Sequence, residues 1–109
     1  MGMRRNVALV YEDDNTIYLY THWQAEYVKQ IIKDALKRGS ERWDDDSYLA
    51  RIIFCEMVRH DIAGTTGYGL APYEILPDFP NVTIDLHKQT VDGVPFTEFV
   101  RGDYSIKQI

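Results

Sequence analysis

The spacing of apolar residues along the chain divides it into elements. From Asn6 to His22, in NVALVYEDDNTIYLYTH, apolar and polar positions alternate with a period of two on either side of a polar turn at Asp13, Asp14 and Asn15. Val7, Leu9 and Tyr11 fall on one face of the first segment. Ile17, Leu19 and Thr21 share a face of the second, which leaves Tyr18, Tyr20 and His22 on the other. Successive side chains of a strand point to opposite faces, so this pattern predicts a β-hairpin closed by an Asp/Asn turn.

The period then changes. In WQAEYVKQIIKDALKRGS, Val28, Ile31, Ile32, Ala35 and Leu36 recur at helical spacing. Lys37 and Arg38 suit the negative end of the helix dipole, and Gly39 is expected to supply a left-handed stop. A second helix is predicted in RWDDDSYLARIIFCEMVRH, where Leu49, Ile52, Ile53, Phe54, Met57 and Val58 make more than half the circumference apolar. That breadth marks it as the central core element. AGTTGYGLAPY reads as a loop, with Gly64, Gly67 and Gly69 as turn formers, entering a short strand broken by Pro72. NVTIDLH alternates Val82, Ile84 and Leu86 against Thr83, Asp85 and His87, a further strand. KQTVDGVPF holds a turn and one more short strand, and TEFVRG a last helical turn capped by Thr97. The order β-β-α-α-β-β-(α) predicts an α+β domain, a mostly antiparallel sheet with two main helices on one face. At 109 residues the chain makes one domain, 1–109, with 1–5 and 102–109 expected to be mobile ends.

Asp44, Asp45 and Asp46, followed by Ser47, stand where the second helix must begin. A helix start exposes unpaired N–H groups and a partial positive charge, and Asp and Ser satisfy both. Consecutive aspartates point in different directions and lack the alternate spacing of a calcium loop. One of them is expected to be the N-cap, in preference to an acidic recognition patch or a metal site.

Charge narrows the possible partners. Twelve basic residues face seventeen acidic ones, a net −5, which opposes unaided binding to nucleic-acid phosphates. The signs are interleaved except at two acidic runs, Glu12-Asp13-Asp14 and Asp44-Asp45-Asp46. No apolar stretch approaches the roughly 20 residues that span a bilayer, and the start carries neither a signal-peptide pattern nor a myristoylation signal. Cys55 is the single cysteine and sits among Ile53, Phe54 and Met57, where it reads as a small buried hydrophobe. A reducing, cytoplasmic setting is expected.

Candidate chemistry is sparse. His22, His60 and His87 lie at no metal-ligand spacing, and Asp85 and His87 read as solvent-facing neighbours on one strand face. No G-x-S-x-G elbow occurs, and GTTGYG lacks the strand-before, helix-after context of a phosphate loop. Arg59-His60-Asp61 and Arg101-Gly102-Asp103 match known tripeptides without their context. No catalytic residue, cofactor or metal ligand is assigned. The alternative, a small metal-dependent enzyme, would use the histidines with Asp61 or Asp85.

The aromatic content adds a second theme. Eight tyrosines and two tryptophans exceed what a small core needs. Tyr18, Tyr20 and His22 form either a partner-binding face or plain packing; Trp23 and Trp43 are expected to pack on each other or on Tyr27. Tyrosine-rich surfaces suit protein partners. The candidate partner-binding residues are Tyr18, Tyr20, His22, Asp13, Asp14, Asp44, Asp45 and Tyr68.

IYLYTHW, RWDDDSYLARIIFCEMV and GTTGYGL, with the acidic strand that ends QTV, together resemble a family of small, mostly uncharacterised bacteriophage and bacterial proteins, over Ile17 to Val91. The resemblance carries no catalytic residues. It implies a cytoplasmic accessory protein of a phage or mobile element, of the kind that blocks host proteins, including CRISPR-type defence components. The expected function is therefore non-enzymatic protein binding. Acidic runs would engage the basic nucleic-acid channel of a host or defence protein, without direct nucleic-acid or membrane contact. A self-assembling phage component, a homodimer through the tyrosine face, is the other non-enzymatic alternative.

Overall fold

The computed structural model describes residues 3–106. Six strands and three helices follow in the order β1 (Arg5–Val10), β2 (Thr16–Thr21), α1 (Val28–Arg38), α2 (Asp46–Val58), β3 (Tyr68–Ala71), β4 (Val82–Asp85), β5 (Thr90–Val91), β6 (Val94–Pro95) and α3 (Phe96–Phe99). Single turns of 3-10 helix at Ala25–Tyr27 and Ser40–Arg42 lead into α1 and link it to α2. The domain is α+β, with one six-stranded sheet in the order β3-β2-β1-β4-β5-β6. The predicted hairpin is β1 against β2, Val7 opposite Leu19 and Leu9 opposite Ile17.

The sheet is not wholly antiparallel. β4 runs parallel to β1, with Val7 opposite Val82 and Leu9 opposite Ile84. The cause lies in the chain that leads to it. The Arg4 amide donates to the Asp78 carboxylate at 2.8 Å, and the Asp78 amide donates back to the Arg4 carbonyl at 2.8 Å. The Arg4 guanidinium pairs with the same carboxylate at 3.1 Å and holds it below the usual carboxylate range. Fully buried Asn6 donates to the Ile75 carbonyl at 2.6 Å and accepts from the Ile75 amide at 3.3 Å. These ties bring residues 75–81 to the start of β1, so β4 begins at that end and must run alongside it.

The helices cover the face that carries Val7, Leu9, Leu19, Val82, Ile84 and Val91. Val28, Ile32, Ala35 and Leu36 of α1 meet Leu49, Ile53 and Met57 of α2 over it, all buried. Burial of each large aliphatic side chain contributes roughly 2 kcal/mol. Phe96 and Phe99 of α3 close the β5–β6 end of the core.

Several local expectations are corrected. Gly39 is not left-handed; its φ is −97°, and it is buried where an added Cβ would lie 3.0 Å from Ile52, so it permits close approach of α1 to α2. β4 ends at Asp85, and His87 sits in the following turn rather than on a strand face with it. The Asp85 carboxylate instead accepts the His87 and Lys88 amides at 3.1 and 2.8 Å. KQTVDGVPF makes a complete hairpin, β5–β6, because Asp92 and Gly93 both take positive φ, 48° and 83°, as a tight mirror-image turn requires. α3 begins after Pro95, not at a Thr97 cap. Cys55 is only half-buried.

The tryptophans do not meet. Trp23 packs edge-on against Tyr68, whereas Trp43 packs against Phe96 and donates its ring N–H to the Leu36 carbonyl at 2.9 Å. Residues 1–2 and 107–109, parts of the ends expected to be mobile, lie outside the described residues. Within those same ends, Arg5 opens β1 and Tyr104 stacks on Phe99 with ring centroids 4.5 Å apart.

Candidate protein-binding site

The two acidic runs lie 30 residues apart in sequence, and the fold brings them to one corner. The β1–β2 turn, the start of α2 and the β4–β5 turn meet there. Glu12, Asp44, Asp45, Asp46, Leu86 and His87 line an open cleft of about 470 Å³. A second cleft, lined by Tyr11, Glu12, Asp13 and Asp46, continues it.

Each acid has a local structural reason to be where it is. At the hairpin, the Tyr11 amide donates to the Asn15 carbonyl at 2.9 Å and the Asp14 amide to the Tyr11 carbonyl at 3.0 Å. Asp14 takes φ 65°, a conformation that Asp and Asn tolerate better than most side chains. The Asp13 carboxylate accepts the Asn15 amide at 3.1 Å and its side-chain N–H as well, so the turn fixes its direction. At the helix, Asp45 is the N-cap that was expected of the triplet, accepting from the Tyr48 amide at 3.3 Å. Asp44 is held from the β4–β5 turn, where the Gln89 side-chain N–H donates to its carboxylate at 2.6 Å.

Clustered carboxylates repel one another. The partial positive charge at the N-terminus of the 13-residue α2 offsets part of that repulsion. Arg42 pairs with Asp45 at 3.9 Å, and its guanidinium also lies over the Tyr48 ring. Burial, with Asp46 adding a smaller effect, raises the Tyr11 phenol above its ordinary pKa, so it stands protonated beside the acids.

The eight candidate residues therefore fall into separate places. Asp13, Asp44 and Asp45 line the corner, and Asp14 belongs to the same turn without lining either cleft. Tyr18 and Tyr20 occupy the opposite face of the sheet, half-buried, with His22 edge-on to Tyr20 at 6.3 Å. The segment tied to Asn6 lies on that face, where Ala8 and Ala71 are also buried. Tyr68 is on the helix face of the edge strand β3, beneath Trp23, and burial raises its phenol pKa, with a smaller effect from Asp61. Glu12 and Asp46, adjacent to the assigned acids and joining the two clefts, complete the corner; membership of the two runs was their signal in the sequence.

The three histidines stand apart. His87 follows the end of β4 beside Val10, His22 follows Thr21 at the opposite end of the hairpin, and His60 lies past the end of α2. Among the described residues, no three His, Cys, Asp or Glu side chains gather as a metal-holding group. No helix among them is long and apolar enough to cross a membrane.

Away from this corner, Glu56 on α2 is buried and accepts from Arg38 at 3.0 Å and Arg59 at 2.9 Å. It ties α1 to α2. The corner is thus equipped to attract and orient cationic groups. Set against known proteins, the chain matches no family model, no curated protein and no solved structure.

Proposed function

We propose that this chain is a non-enzymatic protein-binding module that engages a basic surface of its partner through the corner formed by Glu12, Asp13, Asp44, Asp45 and Asp46. The observation that carries the proposal is the convergence of two separate acidic runs on two adjoining open clefts. A negative surface of this kind steers a cationic partner in solution and fixes its register. The basic nucleic-acid channel of a host or phage-defence protein has the complementary chemistry. The sequence resemblance to small phage proteins points to the same class of target.

The test is capture from bacterial lysate by the immobilised chain, beside a Glu12→Gln/Asp44→Asn/Asp46→Asn variant. A basic protein should be retained in stoichiometric amount by the unaltered chain at about 0.1 M salt. It should be released near 1 M, where the screening length falls to about 3 Å, and the variant should not retain it. Retention of no stoichiometric protein, or equal retention by both chains, would contradict the proposal.

A further inference from the structure

α1 and α2 do not cover the whole sheet. A helix is about 10 Å wide and strands lie about 4.8 Å apart, so two helices cover roughly four strands. α3 lies against β5 and β6 at one edge. At the other edge, on the helix face, Leu70 of β3 is 59% exposed and its neighbour Ile17 of β2 is 38% exposed. Between these strands and α2 runs an apolar trough. Two adjoining hollows that share Phe54 make it up: Ala50, Ile17 and Leu70 line the first, and Val58, Tyr68 and the loop residues Ile62 and Thr66 line the second. Ala50 to Val58 are successive i, i+4 positions, so the trough follows α2 for about 12 Å.

The section over Ile17 and Leu70 has a volume of about 270 Å³ and is lined almost wholly by apolar groups. That is smaller than a usual small-molecule pocket, about 300 Å³ or more, and fits a row of side chains. Charge identifies what would lie in it. Tyr11 belongs both to the trough and to the cleft of Glu12, Asp13 and Asp46, so the apolar floor runs directly into the acidic corner at the start of α2. At its far end stands Asp61. Arg51 is the single cation among the lining residues. An acidic rim disfavours an anionic lipid surface.

We infer that the trough receives an amphipathic helix of the partner protein. Its apolar residues at i, i+3/i+4 and i+7 would fill the place beside α2, with Lys or Arg at its ends meeting Glu12, Asp13, Asp46 and Asp61. This rests on the proposed protein-binding role and specifies the element that is bound. Helices laid into apolar grooves are read through such anchors.

The experiment is fluorescence anisotropy with a labelled Leu/Lys peptide of about four helical turns, patterned for one apolar face. A scrambled peptide of the same composition and a Leu/Glu peptide of the same pattern serve as controls. The patterned basic peptide should bind at least about ten-fold more tightly than either control. Leu70→Glu should weaken it by about ten-fold or more, roughly 1.4 kcal/mol, as should Ile17→Ser, with both variants retaining the helical circular dichroism of the parent. Equal affinity for the patterned and scrambled peptides, or no effect of either substitution, would overturn the inference. So would a dimer in sedimentation equilibrium that Leu70→Glu dissociates, because the occupant would then be a second copy of the chain. If the peptide fails while lysate capture still depends on the acids, the helix assignment falls and the acidic corner stands.

Discussion

At the scale of single residues, what separates an ordinary turn from a required one is the space around it. Gly67 carries φ +93°, and an added Cβ would lie 2.6 Å from the Trp23 ring. Its carbonyl accepts the His22 amide at 2.7 Å, which extends the β2–β3 pairing beyond Thr21. Gly67→Ala should therefore destabilise the fold by about 2 kcal/mol, the cost of the strained backbone together with the displaced ring. Urea unfolding followed by tryptophan fluorescence would measure it, and the native emission should shift as Trp23 moves. The sequence marked Gly67 as a turn former, but nothing local announced that Trp23 would lie on it. Gly39 teaches the converse. Its place after Lys37 and Arg38 matches a left-handed stop, yet its use is to let Ile52 approach, a fact fixed by the other helix.

Elements were legible where their signals were local. The period-two hairpin, the 3.6-residue spacing of α1 and the acidic start of α2 all depend on neighbours within a few positions. The parallel pairing of β1 with β4 was not legible, because it depends on Asn6–Ile75 and Arg4–Asp78 contacts across about seventy residues. β5–β6 was only half visible: its strands are two residues each, too short for periodicity, and its signal was the Asp92-Gly93 pair. The aspartate triplet separates two roles within one element. Asp45→Ala should cost about 1 kcal/mol as a lost cap. Asp45→Asn should keep most of that stability while removing one charge from the corner, so thermal melts distinguish capping from electrostatics. Equal losses in both variants would place the contribution of Asp45 in its charge.

Over the whole molecule, the two themes in the sequence, acidic runs and surplus aromatics, part company. The acids converge because β1 and β4 end on the same side and α2 starts there. That follows from the parallel register and so lay beyond the reach of a strand-by-strand reading. Tyr18 and Tyr20 take the opposite face, alongside the segment that Asn6 anchors, and Tyr68 takes the helix side. Exposed apolar surface adjoining the acids comes instead from Ile17 and Leu70, which sequence alone marked as ordinary strand residues.

The most direct test of this surface is a backbone amide NMR titration with the patterned Leu/Lys peptide. Shifts confined to Tyr11–Asp13, Ile17, Asp46, Ala50–Val58, Asp61, Tyr68 and Leu70 are predicted, diminishing as salt rises. Shifts centred on Tyr18 and Tyr20, or none at saturating peptide, would contradict it.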